Sequence, residues 1–251
     1  MKYISANWPA PKHIKAVTTT RVGGVSDGVF AGLNLGDHVG DDSEKVKCNR
    51  KLLIDDLGLQ VEPQWLSQVH GTDVIEASKA GNVVEADACW TSESGLACVV
   101  MTADCLPVFF TDSLGENVAV AHAGWRGLVD GVLENTLRCF AKPEEVHVWM
   151  GPAIGPDAFE VGAEVKAQFE ANQAEAASAF EPVFGKDGKY LANIYRLAEL
   201  RLKKAGVKSI SSCDLCTFGD SDTFYSYRRD GQTGRLASLI WIDANAKVAN
   251  V

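Results

Sequence analysis

VVMTADCLPVFFTDSLGENVAVAHAGWRG, residues 99–127, contains two short Val-rich runs, 99–101 and 118–121. Their length and β-branched content predict buried strands rather than helices. Each run gives way to reactive groups, the first to Thr102-Ala103-Asp104-Cys105 and the second to His122-Ala123-Gly124-Trp125-Arg126-Gly127. A thiol and an imidazole therefore stand where strands stop and backbone turns. Upstream, the period-two placing of Trp65, Ser67 and Val69 predicts another strand, which delivers His70 in the phrase Gln68-Val69-His70-Gly71. Two His and one Cys form a three-ligand set of zinc type, with one tetrahedral position left open for water or substrate. The same residues allow Cys105 as a nucleophile with His122 or His70 as its base, which leaves the second His without a role.

Downstream, Leu128, Val132, Leu133, Leu137 and Phe140 recur at helical spacing, predicting one helix from Trp125 to just before Pro143. Its start would lie beside His122, where free N–H groups, the helix dipole and Arg126 favour an anion. Residues 146–150 predict a strand with His147 on its far side, and 151–156 a rigid loop walling the pocket. Residues 163–180 and 194–205 predict helices, the second closed by Gly206. Cys213 and Cys216 have C-x-x-C spacing without a second pair or a thioredoxin context, and are expected to be structural. Residues 224–229 alternate as a strand carrying aromatic and cationic groups, with Arg228 available for an anion. Residues 236–242 read as a last buried strand.

On the N-terminal side, a strand signal at 17–20 leads to Arg21 and the Gly23-Gly24 turn, another candidate anion site. His38 is expected to bond locally in a Gly- and Asp-rich loop. Ser43 is the expected N-cap of a helix ended by Gly58, with Val46, Leu52, Leu53 and Leu57 inward. Asp87, Cys89, Trp90 and Cys98 read as buried packing.

The 251 residues suffice for a sizeable core, and 46% hydrophobic with 23% charged residues is ordinary for a globular protein. A net charge of -9 disfavours broad capture of nucleic acid polymers or of an anionic membrane surface. The first residues lack the apolar segment of a secretory signal and no run is long enough to span a membrane, so the cytoplasm is expected. Seven Cys, an odd number, argue for reduced thiols. Strands and helices interspersed along one uninterrupted chain predict a single mixed α+β domain over 1–251. The oligomeric state is left open by the sequence.

Six ordered phrases, QVHGTDV from Gln68, MTADCLPV from Met101, AHAGWRG from Ala121, WMGPAIGP from Trp149, FEVGAEV from Phe159 and FYSYRRDGQTGR from Phe224, resemble the YfiH-like family. That family is also called laccase-domain, polyphenol-oxidase-like or peptidoglycan editing factor. The resemblance begins at Thr20-Arg21-Val22-Gly23-Gly24-Val25-Ser26. It implies a four-layer αββα sandwich of mixed sheets flanked by helices, and zinc held at the positions of His70, Cys105 and His122. It also implies phosphate-dependent cleavage of purine nucleosides (adenosine, inosine, methylthioadenosine) to base and ribose 1-phosphate, with adenosine deamination as a side activity. In that scheme Arg21, Arg126, Arg228 and Gln68 contact substrate or phosphate, and Asp104 transfers a proton. The partners are then small purine nucleosides and phosphate. Cell-wall editing is an alternative role that the family name carries. A copper polyphenol oxidase is another, but its His₂Cys blue-copper site and additional His-rich cluster need more than the five His present. Copper can still displace zinc in vitro, because Cu²⁺ binds N and S ligands more tightly.

Overall fold

In residues 98–102 every side chain is buried, and alternate ones enter different cores. Val100 packs with Phe109, Val120 and Ile240, whereas Val99 and Met101 pack with Leu33, Leu53 and Leu239. The same alternation recurs in residues 106–112, where Phe109 joins the first of these cores while Val108 and Phe110 face a third. A strand buried on both faces shows no polar alternation, and each large apolar side chain contributes about 1.5–3 kcal/mol.

The computed structural model describes residues 1–79 and 81–244. The first half of the chain forms β1 (Tyr3–Ser5), β2 (Ile14–Thr19), α1 (Ser43–Leu57), β3 (Leu66–Ser67), β4 (Val74–Glu76), β5 (Val84–Glu85), β6 (Ala88–Thr91), β7 (Cys98–Thr102), β8 (Leu106–Asp112) and β9 (Val118–Ala123). Then come α2 (Trp125–Asp130), α3 (Val132–Leu137), β10 (Val146–Met150), β11 (Glu160–Gly162), α4 (Ala163–Asn172), β12 (Phe180–Pro182), β13 (Lys189–Ala192), α5 (Ile194–Lys204), β14 (Ser209–Ser212), α6 (Tyr227–Asp230) and β15 (Leu236–Ile242).

A four-stranded sheet in the order β1-β2-β15-β7 is antiparallel throughout. It packs through Val100, Val120 and Ile240 on a six-stranded sheet in the order β14-β10-β8-β9-β6-β4, which is antiparallel in its middle and parallel at both edges. Leu53 of α1 covers the outer face of the first sheet. Leu128, Leu133, Val165 and Leu197, from α2, α3, α4 and α5, cover that of the second. The expected αββα sandwich is therefore present. Among the described residues no helix is long and apolar enough to cross a membrane.

Several local expectations are corrected. Asp42, not Ser43, caps α1 by accepting the Glu44 N–H at 2.8 Å, while Gly58 ends it in the left-handed region as expected. Leu52 is exposed, and the inward stripe of Val46 and Leu53 is completed by Asn49, whose amide donates to Ser26 Oγ and Asn34 O. The helix expected from Trp125 to Pro143 is broken at Gly131, whose φ of 106° ends α2 and starts α3. Residues 163–180 yield only α4 and a 3₁₀ turn before β12. Residues 224–229 form no strand, because Ser226 caps the single turn of α6 by accepting the Arg229 N–H. Only Leu66–Ser67 of the strand expected before His70 pairs in a sheet.

Candidate metal centre

Cys105 and His122 are brought together by strand register. Pro107 of β8 lies opposite His122 of β9, so the residue just before β8 falls beside the end of β9. His70 arrives from a turn in which its own φ is 63°, an uncommon conformation for a residue with a side chain. Asp87 holds that turn. Its carboxylate accepts the N–H groups of Val69, His70 and Gly71 at 3.2, 3.0 and 2.6 Å, and it also accepts a hydrogen bond from His122 Nδ1 at 2.8 Å. The bond fixes the tautomer of His122 and turns its Nε2 toward the thiol. Two glycines make room: a Cβ on Gly124 would lie 2.6 Å from His70 Cδ2 and 3.2 Å from Cys105 Sγ, and one on Gly127 would lie 2.6 Å from Gly71 O.

The ligand atoms of His70, Cys105 and His122 all lie within 4.8 Å of one another, and Cys105 Sγ is 3.8 Å from His70 Nε2. A tetrahedral zinc with ordinary bond lengths holds S and N roughly 3.6 Å apart, so the donor set fits the ion with little movement. The two imidazoles meet edge to face at 4.8 Å. Burial raises the Cys105 thiol, but the charge and hydrogen bonds of His122, together with His70, outweigh it and bring the thiol down to about 6. Burial likewise lowers His122, but Cys105 and Asp87 raise it to about 9. Both shifts favour a thiolate beside an imidazolium in the metal-free pair, from which a cation would displace one proton.

Two lobes open on either side of Cys105 and His70. The first, about 230 Å³, has an apolar wall of Trp125, Ile154, Phe159 and Ile194 and a cationic rim of Arg126 and Arg228. The second, about 440 Å³, is lined by His38, Gln68, Thr102, His122, Tyr227 and Arg235. Arg126 stacks over Trp125 at 4.5 Å and makes no hydrogen bond or ion pair among the described residues. Arg228 spends Nη1 on the carbonyls of Ala158 and Glu160 at 3.4 and 2.9 Å. Gln68 exchanges both amide bonds with the Met101 backbone, tying the turn to β7. Asp104, with φ 90°, accepts from Thr217 Oγ1, Ser226 Oγ and the Arg228 N–H at 2.6, 3.0 and 2.7 Å. Its oxygens brace the α6 turn, which does not suit the expected proton transfer.

Other expectations miss the lobes. Arg21 donates to Ser221 O and Ala31 O, stacks over Tyr225 at 4.7 Å, and lines neither. His147 pairs with Ser209 Oγ, as its place on the far side of β10 implied. Cys216 accepts the Gly155 N–H at 3.2 Å, outside the centre. Conversely, His38 and Arg235 line the second lobe, and Asp87 organises both histidines, although none of the three was expected to do so. For Asp87 a signal existed: a carboxylate between Ala86 and Ala88 in an apolar run must be paired if buried.

Residues 15–243 match the family described as multi-copper polyphenol oxidoreductase laccase. A relative from Escherichia coli K12, called purine nucleoside phosphorylase YfiH, is 50% identical over 243 residues, covering 96% of this chain and 99% of its own. The chain belongs to this YfiH-like, laccase-domain family. Another YfiH-like relative, from Haemophilus influenzae, called purine nucleoside phosphorylase, is 51% identical over 97% of this chain and all of its own. The crystal structure of a Neisseria meningitidis protein matches with a TM-score of 0.93 at 48% identity, covering 97% of this chain and 100% of that one. That of YlmD from Geobacillus stearothermophilus matches with 0.89 at 32%, covering 97% of each. The copper description of the YfiH-like family is not matched by a multicopper donor set, since among the described residues one cluster has ligand geometry.

Proposed function

We propose that this chain is a zinc-dependent purine nucleoside phosphorylase acting on adenosine, inosine and methylthioadenosine, with adenosine deamination as a side activity. The convergence of His70, Cys105 and His122 at the junction of an apolar lobe and a polar lobe carries this proposal. The names of the relatives support it. In the reaction one oxygen of hydrogen phosphate bonds to ribose C1′ while the C1′–N9 bond breaks. The bonding pair leaves with the purine, the phosphate proton passes to it, and base and ribose 1-phosphate account for every atom. When bound to the two imidazoles and the thiolate, zinc supplies a Lewis acid that orients an oxygen ligand and, for deamination, polarises water.

The chain's own residues do the rest. Trp125 and Phe159 give the purine a flat apolar wall. Arg126 donates to the nucleoside's polar edge, and the remaining nitrogens of Arg228 do so from a backbone that Asp104 holds. Asp87 orients the His122 imidazole and holds the backbone turn that carries His70.

The lowered thiol of Cys105 favours a second chemistry, a cysteine hydrolase acting for instance on cell-wall peptides. It leaves unexplained why two imidazoles, not one, aim at the sulfur. Protein purified without added metal should contain about one zinc per chain, and should release base from inosine only when phosphate is present. Phosphate-independent turnover of muramyl-peptides by metal-stripped protein would instead establish the hydrolase.

A further inference from the structure

The second lobe gathers donors that lack partners. Thr102 and Thr233 are each 1% exposed, and neither hydroxyl finds a hydrogen-bond partner among the described residues. Thr102 lines the lobe itself, and Thr233 lines the adjoining hollow that shares His38, Tyr227 and Arg235 with it. Arg235 gives Nη1 to the carbonyls of Thr233 and Gly234, which sets the guanidinium in place. Its Nε and Nη2 take no partner among the described residues. Gly36 clears the path of that side chain, since a Cβ there would lie 2.7 Å from Arg235 Cγ. Among the described residues no carboxylate lines either hollow. Asp37, in the His38 loop, is held by Arg50 at 3.3 Å and by His38 at 3.5 Å.

A guanidinium with free donors and two unpartnered buried hydroxyls match a tetrahedral oxyanion. The apolar wall of the first lobe matches a base. We propose that the phosphate co-substrate binds in the second lobe, on Arg235 with the hydroxyls of Thr102 and Thr233, and that Arg126 and Arg228 serve the nucleoside instead. This rests on the two-substrate reaction proposed above and divides its substrates between the two sides of the ligand cluster.

Titration of the protein as purified with inorganic phosphate, followed by phosphorus NMR line width, reads binding without turnover. Wild type should saturate, R235Q should weaken binding at least about tenfold, and R126Q should change it less than about twofold, as expected for losing or keeping one charge-assisted contact. T102V preserves shape and should weaken binding several-fold even if R235Q fails to fold. In turnover, T102V should raise the phosphate KM and leave the inosine KM unchanged. No phosphate binding by wild type, wild-type affinity in both R235Q and T102V, or loss confined to R126Q would overturn the proposal. A wild type that binds phosphate through Arg235 but releases no base from any nucleoside would instead defeat the phosphorylase and leave the anion site standing.

Discussion

At Cys105, metal ligation and nucleophilic attack predict the same result for an alanine variant, so thiol reactivity has to separate them. Protein carrying its metal should resist alkylation at Cys105. After chelation, alkylation should rise with a midpoint near pH 6, where His122 and His70 have pulled the thiol down, rather than near 9. Rapid alkylation of untreated protein, unaffected by chelator, would remove the metal from the mechanism. Asp87 is the second residue to test. Burial opposes its charge, but the bond and charge of His122 and the N–H groups of Gly71 and Val69 overcome this and lower its pKa. A lowered carboxyl stabilises the fold above its unfolded value and loses that contribution as pH falls through the folded one, so acid unfolding should draw on Asp87 below about pH 4. Asp87→Asn should reduce metal affinity about 10–100-fold by equilibrium dialysis while the secondary structure persists. The His70, Cys105 and His122 cluster was legible because Cys105 and His122 follow Val-rich runs and His70 follows the period-two stretch 65–69. Arg235 and His38 were not, since only the return of residues 231–235 past Gly36 brings them to the centre.

Helices and turns were less legible than strands. The apolar spacing from Leu128 to Phe140 is periodic, yet one left-handed glycine at 131 divides it, and nothing in the periodicity records that. The alternation of 224–229 is also real. Phe224 and Tyr225 are buried as a strand would bury them, but the Asp104 carboxylate draws the Ser226 hydroxyl and the Arg228 N–H into a helical turn. Between β9 and α2, Gly124 is required for space, its φ of -63° being open to any residue. Gly124→Ala should therefore fold, with thermal stability lowered by about 1–3 kcal/mol, and lose most of its bound metal on elemental analysis because His70 is displaced. Full metal content in that variant would mean that the His70 turn yields freely. Where β14 runs on into the loop of Cys213 and Cys216, the double serine variant should keep its metal and change stability modestly, since Cys216 accepts the Gly155 N–H and Cys213 packs at a core edge, both outside the centre.

On the scale of the whole molecule, the Val-rich runs revealed strands buried on both faces, and interspersed helices revealed that something must cover them. Strand order was beyond such patterns. β15, late in the chain, lies between β2 and β7, and pairings of that sequence separation leave no local signature. The layered packing has a measurable consequence at Phe109 and Phe110, adjacent in sequence but pointed into different cores. Each alanine substitution should cost about 3–5 kcal/mol in denaturant unfolding. Their coupling in a double-mutant cycle should stay small, because the two share few partners. A large coupling energy would show that the two cores respond as one.

The carboxylate of Asp87 serves a turn from one part of the chain and an imidazole from another. Removing its charge would therefore loosen the His70 turn and the His122 imidazole in one event. Disorder of the His70 turn and of the His122 ring should consequently appear together in Asp87→Asn, so that the two sides of the cluster behave as one latch.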